Sequence, residues 1–349
     1  MAASDSRPVL AAGTVGGAGT EVALRALLDA PAPPGGVAVV PPAFAAAARQ
    51  AGWEVARTGR VGAVLREAVG RPRSTRWIGF CDRLPLLGRP GGLLVVQNPH
   101  LYGPPTPGWS WRARAKLAVL RRWAHRSARR AERIVCSTPS SAGAVVAATG
   151  VPRERITVLP IPARDLGRRK DEHRDSIERV LLLGDVYAYK RWPVAVDAAI
   201  ALHQRDGRRL TVVHLGAAID RAAAAELAAA LGRARAAGVT VEAPGRVDHD
   251  RAIEELVAAD VVVLPSTVET QGLPLVEALS AGVPVVASDI GPFRDLGGDA
   301  AVLVPVDQGA AGFADALVAL DPVAIREAAS RAGRRRWPAG GPWDLAALL

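Results

Sequence analysis

Residues Val261–Asp289 read VVVLPSTVETQGLPLVEALSAGVPVVASD, and they predict the kind of sheet that the chain builds. The segment opens with an apolar run typical of a buried strand, passes through a polar loop, and closes on a second apolar run, VPVVAS. Pro274 is expected at the first position of the intervening helix and Gly282 at its end, where these residue types are favoured. Strand, loop, helix and strand in this order predict a parallel sheet, whose ligands bind beyond the carboxyl ends of the strands.

Two glutamates flank this loop: Glu269 lies in it, and Glu277 is predicted on the first turn of the helix. A helix N-terminus attracts phosphate through its free N–H groups and its partial positive charge. Carboxylates beside it are better suited to binding the hydroxyls of a sugar. The segment therefore predicts a site for a phosphorylated, hydroxyl-rich ligand, although a generic α/β loop with two solvated glutamates has the same spacing.

The order PSxxE, QGLPLVEAL and SAGVPVVAS resembles the glutamate–seven–glutamate segment of retaining glycosyltransferases of the GT-B fold, specifically family 4. Glu269 and Glu277 fall on the two motif glutamates. The family usually has an aromatic residue just before the glycine, where this chain has Gln271. The resemblance covers roughly residues 94–162 and 179–333.

Chain length and resemblance together predict an α/β protein with two doubly wound, Rossmann-like domains that face an interdomain cleft. We expect an N-terminal acceptor-binding domain over residues 1–165 and a C-terminal nucleotide-sugar-binding domain over residues 166–325. Residues 326–349 are expected to form a helix and tail that return to the N-terminal domain. The polar stretch 164–179 is interpreted as the interdomain linker.

Composition describes an ordinary soluble globular protein, with 22% charged and 49% hydrophobic residues and a net charge of +10. Cys81 and Cys136 form neither a disulfide framework nor a metal-site spacing, which fits a reducing compartment. The first residues do not match a signal peptide, and no apolar run reaches the roughly 18 residues needed to cross a bilayer. We therefore expect a cytoplasmic protein.

Lys190 follows the buried-strand run RVLLLG in the turn DVYAYKRW. A lysine beside a helix start can neutralise the charge that develops on a departing diphosphate; a loop lysine is otherwise simply solvated. The resemblance implies that Lys190 holds the donor diphosphate. Asp185 stands where the family commonly has a second cation, an arginine, and Arg191 is the candidate to replace it.

The resemblance also implies the remaining donor contacts. Glu277 is expected to bind the ribose and Glu269 the hydroxyls of the transferred sugar, while the turn at Gly245, Arg246 and Val247 borders the base. Further donor-binding candidates surround the loop: Ser266, Gln271, Gly272, Leu273 and Arg191.

Two features of the N-terminal half are assigned to the acceptor side. Gly16 and Gly17 lie in a glycine-rich turn between a strand and a helix, where glycine lets the backbone approach a ligand closely. His100 follows a strand and is a catalytic candidate that would polarise a sugar hydroxyl. Tight strand–helix packing and a structural hydrogen bond are the respective alternatives.

Residues 109–133, WSWRARAKLAVLRRWAHRSARRAER, predict a basic helix with an apolar stripe of Trp111, Ala115, Ala118, Leu120 and Trp123. Such a helix suits an anionic membrane surface. A solvated helix that covers one domain face is the plainer interpretation, and no nucleic-acid-binding motif accompanies the charge.

Together these features predict a retaining, hexosyltransferase-like glycosyltransferase that moves a sugar from a nucleoside-diphosphate sugar to a hydroxyl of a glycan, lipid-linked or small-molecule acceptor. The resemblance implies attack on the same face of the anomeric carbon, without a bound cofactor or metal. A cytoplasmic location, with contact to the inner membrane face, is expected. A sugar-nucleotide epimerase and a non-catalytic basic protein that binds membrane or nucleic acid are the alternatives.

Overall fold

The computed structural model describes residues 7–13, 18–56, 76–86, 91–104, 111–162 and 176–320. Within these ranges the chain divides into two compact units, and the division falls between Ile161 and Pro162. Most of the predicted linker and the whole predicted tail at 326–349 lie outside the described residues, as do Gly16 and Gly17. The binding roles predicted for the two domains stay predictions.

The described part of the N-terminal unit contains seven strands: β1 (Val9–Ala11), β2 (Val37–Val39), β3 (Glu54–Val55), β4 (Trp77–Gly79), β5 (Leu93–Val95), β6 (Arg133–Cys136) and β7 (Ile156–Val158). Its described α-helices are α1 (Ala18–Leu28), α2 (Ala45–Gln50), α3 (Trp111–Arg130) and α4 (Pro139–Thr149). All strand pairs are parallel, and the strand order is β3-β2-β1-β4-β5-β6-β7. The order runs outward from β1 and β4 in both directions, which is a doubly wound sheet.

The C-terminal unit has six strands in its described part: β8 (Arg179–Leu183), β9 (Thr211–Leu215), β10 (Thr240–Gly245), β11 (Val261–Leu264), β12 (Val285–Ser288) and β13 (Ala301–Val304). Its described α-helices are α5 (Trp192–Asp206), α6 (Arg221–Ala236), α7 (His249–Ala258), α8 (Leu273–Ala281), α9 (Gly291–Gly297) and α10 (Gly309–Ala319). The sheet is again parallel, in the order β10-β9-β8-β11-β12-β13. Two doubly wound α/β units confirm the predicted fold class.

Apolar composition explains the central strands of the C-terminal sheet. Every residue of β11 and β12 is buried, as a parallel sheet covered by helices on both faces requires. The direction of winding reverses between β8 and β11, so the loops that leave these two strands diverge from one point. That point is where ligands bind in open α/β sheets.

Helix α8 follows the sequence prediction with a small shift. It begins at Leu273, so Pro274 is its second residue rather than its first. Glu277 consequently lies in the second turn, and the predicted first-turn placement is wrong by one position. Gly282 ends the helix in a left-handed conformation (φ +75°), as predicted.

Helix α3 is shorter than predicted, because Arg133 already begins strand β6. Its buried residues are Leu117, Ala124, Ser127 and Ala128. Of the predicted apolar stripe, Trp111 is 68% exposed, while Ala115 and Ala118 are also exposed. The predicted stripe is therefore divided, because Leu120 packs against the core of the unit and Trp123 Nε1 donates to the Leu84 carbonyl over 2.7 Å. No helix in the described part of the chain is long and apolar enough to span a bilayer.

Candidate functional site

The turn after β8 places a lysine over the end of that strand. A short 3-10 helix, Ala188–Lys190, leads into α5 through Arg191, which adopts a left-handed conformation (φ +52°). The Lys190 side chain lies over Gly184, and its Nζ is 3.9 Å from the position that a Cβ atom on this glycine would occupy. Lys190 is only 8% exposed, and its Nζ lies 5.6 Å from the centre of the Tyr189 ring. The lysine is thus a fixed group rather than a solvated one.

The loop after β11 is fastened to this turn. The Thr267 amide donates to the Tyr189 carbonyl over 2.9 Å, which joins the two loops at the switch point. At the end of the loop, Gly272 has φ +82° and precedes α8 as its N-cap. A Cβ at this position would collide with the ring of Phe293, so both the backbone conformation and the space require glycine.

Lys190 and Glu269 meet between these loops. Lys190 Nζ lies 2.6 Å from Glu269 Oε1, and their side chains are 10% and 12% exposed. A charge-assisted hydrogen bond in a largely dry setting is strong, and losing one partner is costly. The pair presents one cation and one carboxylate side by side, which suits a ligand that carries phosphate next to hydroxyls.

Other predicted donor residues line the same loop. Ser266 is fully buried, and its Oγ has no hydrogen-bond partner within the described ranges. Gln271 and Leu273 are buried, with 2% and 9% exposure, and Glu277 is half-buried. The loop is therefore packed rather than solvated, and this weakens the interpretation of two solvated glutamates. The individual roles of these residues stay predictions.

Sequence reasoning missed an ion pair at the neighbouring strand ends. Arg246 directly follows β10, and its Nη2 lies 3.2 Å from Oδ2 of Asp185, which is the second residue after β8. Asp185 Oδ1 accepts a hydrogen bond of 2.9 Å from the Ala217 amide. Arg191 donates from Nη1 to the Val306 carbonyl over 3.0 Å. This hydrogen bond gives Arg191 a structural role, and the role of Arg191 in binding a diphosphate stays a prediction.

His100 belongs to the N-terminal unit, in a short 3-10 helix, Pro99–Leu101, and is 7% exposed. Asn98 Oδ1 accepts from the His100 amide over 3.0 Å, and Arg121 Nε donates to the His100 carbonyl over 2.9 Å. Both the backbone amide and the backbone carbonyl of His100 are therefore hydrogen-bonded to side chains. The acceptor-side role of His100 stays a prediction.

A buried carboxyl that the sequence did not reveal organises the same loop. Asp82 follows β4 with φ +67° and is fully buried. Its carboxylate accepts hydrogen bonds from the amides of Gln97 and Asn98, the closest of them 2.9 Å long. Burial raises the pKa of Asp82 to about 7, although these amides and nearby Arg83 lower it. Asp82 thus joins the ends of two adjacent strands beside His100.

Among the residues that the structure describes, no group of three or more His, Cys, Asp or Glu side chains is placed so that it could hold a metal ion.

Residues 177–320 match the family model described as Glycosyl transferases group 1. The chain is 33% identical over 207 residues to a D-inositol 3-phosphate glycosyltransferase of Nocardia farcinica (strain IFM 10152), covering 54% of this chain and 45% of that protein. It is also 42% identical over 103 residues to a phosphatidyl-myo-inositol mannosyltransferase of Mycobacterium tuberculosis (strain ATCC 25618 / H37Rv), covering 27% of each chain. The matches to the first relatives thus span about half the length of those proteins.

Structural similarity extends over nearly the whole chain. The crystal structure of Anabaena Alr3699/HepE in complex with UDP and glucose superposes with a TM-score of 0.66, at 17% identity and over 94% of both chains. At this identity the likeness concerns the fold. The chain has the two-domain, Rossmann-like GT-B fold, and this part of the prediction is confirmed.

Proposed function

We propose that the protein is a retaining glycosyltransferase that moves a sugar from a nucleoside-diphosphate sugar to an acceptor hydroxyl. The observation that carries the proposal is the Lys190–Glu269 pair, 2.6 Å apart at the switch point of the C-terminal sheet. The pair lies within the segment that matches Glycosyl transferases group 1. Similarity to relatives named as glycosyltransferases, and to a structure solved with UDP and glucose, supports the same conclusion.

In the proposed reaction, the bond between the anomeric carbon and the terminal phosphate oxygen breaks, and a bond to the acceptor oxygen forms on the same face. Lys190 holds the diphosphate and neutralises the charge that develops on it. The departing phosphate oxygen takes the acceptor proton. Glu269 binds hydroxyls of the transferred sugar, and Glu277 binds the ribose. Neither a metal nor an organic cofactor takes part.

The N-terminal unit is proposed to bind the acceptor, with His100 beside the reacting hydroxyl. The proposed acceptor is a glycan, a lipid-linked sugar or polyol, or a small hydroxylated molecule. Relatives named for an inositol phosphate and for a phosphatidyl-inositol both act on hydroxyl-rich acceptors, one of them a lipid, which supports this range.

Helix α3 supports contact with an anionic membrane surface. Its exposed residues include Arg112, Arg114, Lys116, Arg122 and Arg126, and the helix contains no acidic residue. Trp111 and Val119 are 68% and 67% exposed on the same helix. Cations that surround exposed apolar side chains suit the headgroup region of an anionic bilayer. We therefore propose a peripheral location on the inner face of the membrane.

The experiment that tests the activity measures transfer directly. Purified protein receives UDP-, GDP- and ADP-sugars with a membrane lipid extract or a panel of polyol acceptors, and product is followed by mass spectrometry. Acceptor-dependent product with the anomeric configuration of the donor supports the proposal. Conversion of the donor sugar without an acceptor would favour the epimerase alternative. Absence of any nucleotide binding, together with strong binding to anionic vesicles or DNA, would favour the non-catalytic alternative.

A further inference from the structure

A half-exposed arginine extends toward the switch point, although the strand that it follows lies two positions away from β8 in the sheet. Arg246 directly follows β10, and its guanidinium reaches Asp185, the second residue after β8. Strand β9 separates β8 from β10 in the sheet. At about 4.8 Å per strand, the pair bridges about 10 Å of sheet width. The side chain therefore extends from the end of edge strand β10 toward β8, and its positive charge lies nearer the β8–β11 switch point than its backbone does.

Asp185 is arranged to hold this guanidinium in place. Its side chain is 6% exposed, whereas that of Arg246 is 51% exposed. One carboxylate oxygen is occupied by the Ala217 amide, and the other faces Arg246 Nη2. A guanidinium has five N–H donors in a rigid fork. Asp185 therefore fixes one side of the fork, while half of the arginine side chain stays open to solvent and to a ligand.

Two cations consequently lie close to one short segment of the chain, Gly184–Asp185. Lys190 Nζ lies over Gly184, 3.9 Å from the position that a Cβ atom on this glycine would occupy. Arg246 is paired with the next residue, Asp185. Each cation is matched by a carboxylate, Glu269 in one case and Asp185 in the other. An incoming ligand with two adjacent phosphates would meet one cation at Gly184 and a second at Asp185.

We propose that Arg246 binds the diphosphate of the nucleotide donor, and that Asp185 is the residue that positions it. This inference rests on the proposed function and deepens it, because it moves Arg246 from the base to the diphosphate. Planar guanidinium groups bind phosphate oxygens through paired hydrogen bonds, which a lysine cannot do. Without Arg246, Asp185 would present a bare carboxylate to the phosphates.

The test compares diphosphates with monophosphates. Dissociation constants are measured by calorimetry for UDP, GDP and ADP and for the corresponding monophosphates, on wild type and Arg246→Ala. We expect the variant to lose about tenfold or more in affinity for the preferred diphosphate, and much less for its monophosphate. The matched control is Arg233→Ala, which breaks an exposed arginine–aspartate pair with Asp197 on the same unit. That control should bind both nucleotides as wild type does.

The positioning role of Asp185 is tested with one substitution in two backgrounds, where it should change the affinity for diphosphate in opposite directions. In the wild-type background, Asp185→Ala releases Arg246 and should weaken diphosphate binding. In the Arg246→Ala background, the same change removes an unpaired carboxylate that repels phosphate, so it should strengthen binding. A purely structural role of Asp185 would weaken binding in both backgrounds. Thermal unfolding without ligand identifies any variant that fails to fold, and Asp185→Asn, which keeps the shape, then replaces Asp185→Ala.

The outcomes separate the two proposals. Wild-type protein that binds none of the three diphosphates overturns the proposed function and this inference with it. Wild-type binding that Arg246→Ala leaves unchanged overturns the inference alone. Equal losses for diphosphate and monophosphate would show that Arg246 makes no contact with the second phosphate, and would also overturn the inference.

Discussion

Lys190 and Glu269 are 79 positions apart in the sequence, yet Lys190 Nζ lies 2.6 Å from Glu269 Oε1. The contact exists because β8 and β11 are neighbours at the point where the sheet reverses its winding, so the loops that follow them meet. Lys190 is therefore already paired with a carboxylate of the protein itself. Phosphate can engage Lys190 only by sharing or displacing this carboxylate, which then becomes available to a sugar hydroxyl.

This relationship predicts different effects for the two partners. Lys190→Met should abolish stabilisation by nucleoside diphosphate and should destabilise the protein by about 1–3 kcal/mol, because Glu269 loses its partner. The double variant Lys190→Met/Glu269→Gln should regain most of that stability without regaining nucleotide binding. Thermal unfolding with and without nucleotide measures both effects. Nucleotide stabilisation that persists in Lys190→Met would remove this lysine from the diphosphate.

Glu269→Gln separates binding from transfer. The change keeps the shape of the side chain and frees Lys190, so binding of the free diphosphate should persist. Sugar transfer should fall by about two orders of magnitude, because the hydroxyls of the transferred sugar lose a charged acceptor. Initial rates of transfer and calorimetric titration with diphosphate provide the comparison. Transfer near the wild-type rate would contradict the assigned role.

Gly272 and Gly282 form a matched pair at the two ends of α8. Both have left-handed φ values, +82° and +75°, but only at Gly272 would a Cβ collide with Phe293; nothing lies within 4 Å of a Cβ at Gly282. Gly282→Ala should cost about 1 kcal/mol for the backbone alone. Gly272→Ala should cost about 1–3 kcal/mol more and should weaken nucleotide binding, because the loop must shift. Urea unfolding measures the difference, and equal costs would show that the Phe293 contact is unimportant.

Asp82 predicts a pH dependence of stability. Burial raises the pKa of this carboxyl from 3.8 to about 7 in the folded protein. Between these values the folded state holds a proton that the unfolded state has released, so this group makes stability fall as pH rises from about 4 to about 7. The slope is at most about 1.4 kcal/mol per pH unit. Asp82→Asn should flatten it, since the side chain no longer titrates.

The measurement is the free energy of unfolding of wild type and Asp82→Asn at several pH values from 4.5 to 8. A difference in unfolding free energy that is the same at every pH reflects the hydrogen bonds that an amide cannot reproduce. Only a difference that changes with pH reports the titration of Asp82. The variant should gain on wild type as pH rises. Parallel curves would show that Asp82 titrates near its usual value.

Local patterns were sufficient for β8, β11 and β12 and, within one residue, for α8, because each apolar run is bounded by glycine, proline or polar residues. They could not reveal the Asp185–Arg246 pair or the contacts of Asp82, which depend on which strand ends become neighbours. The resemblance placed Lys190 and Glu269 in one site, but their direct contact was not predicted. In α3, alanines occur on all sides among the arginines, so the sequence alone did not distinguish the buried face.

The structure redefines how the membrane proposal for α3 can be tested. Arg121 donates to the carbonyls of His100 and Gly103, so reversing its charge would disturb the loop rather than report on a surface. Arg122 and Arg126 are exposed and lie one turn apart. Arg122→Glu/Arg126→Glu should reduce binding to phosphatidylglycerol-containing vesicles at least about tenfold, since each cation near such a surface contributes about 1 kcal/mol.

The matched control reverses two exposed arginines of α6, Arg221→Glu/Arg235→Glu, and changes the net charge by the same amount. Vesicle flotation at low and physiological salt compares the three proteins. If binding arises from α3, only the α3 double variant loses affinity for the vesicles. Trp111→Ala should then lower the binding of otherwise wild-type protein at physiological salt, because salt screens the charges but leaves the apolar contact unchanged. Equal losses in both double variants would mean that overall charge alone drives association, and α3 would then have no specific role at the membrane.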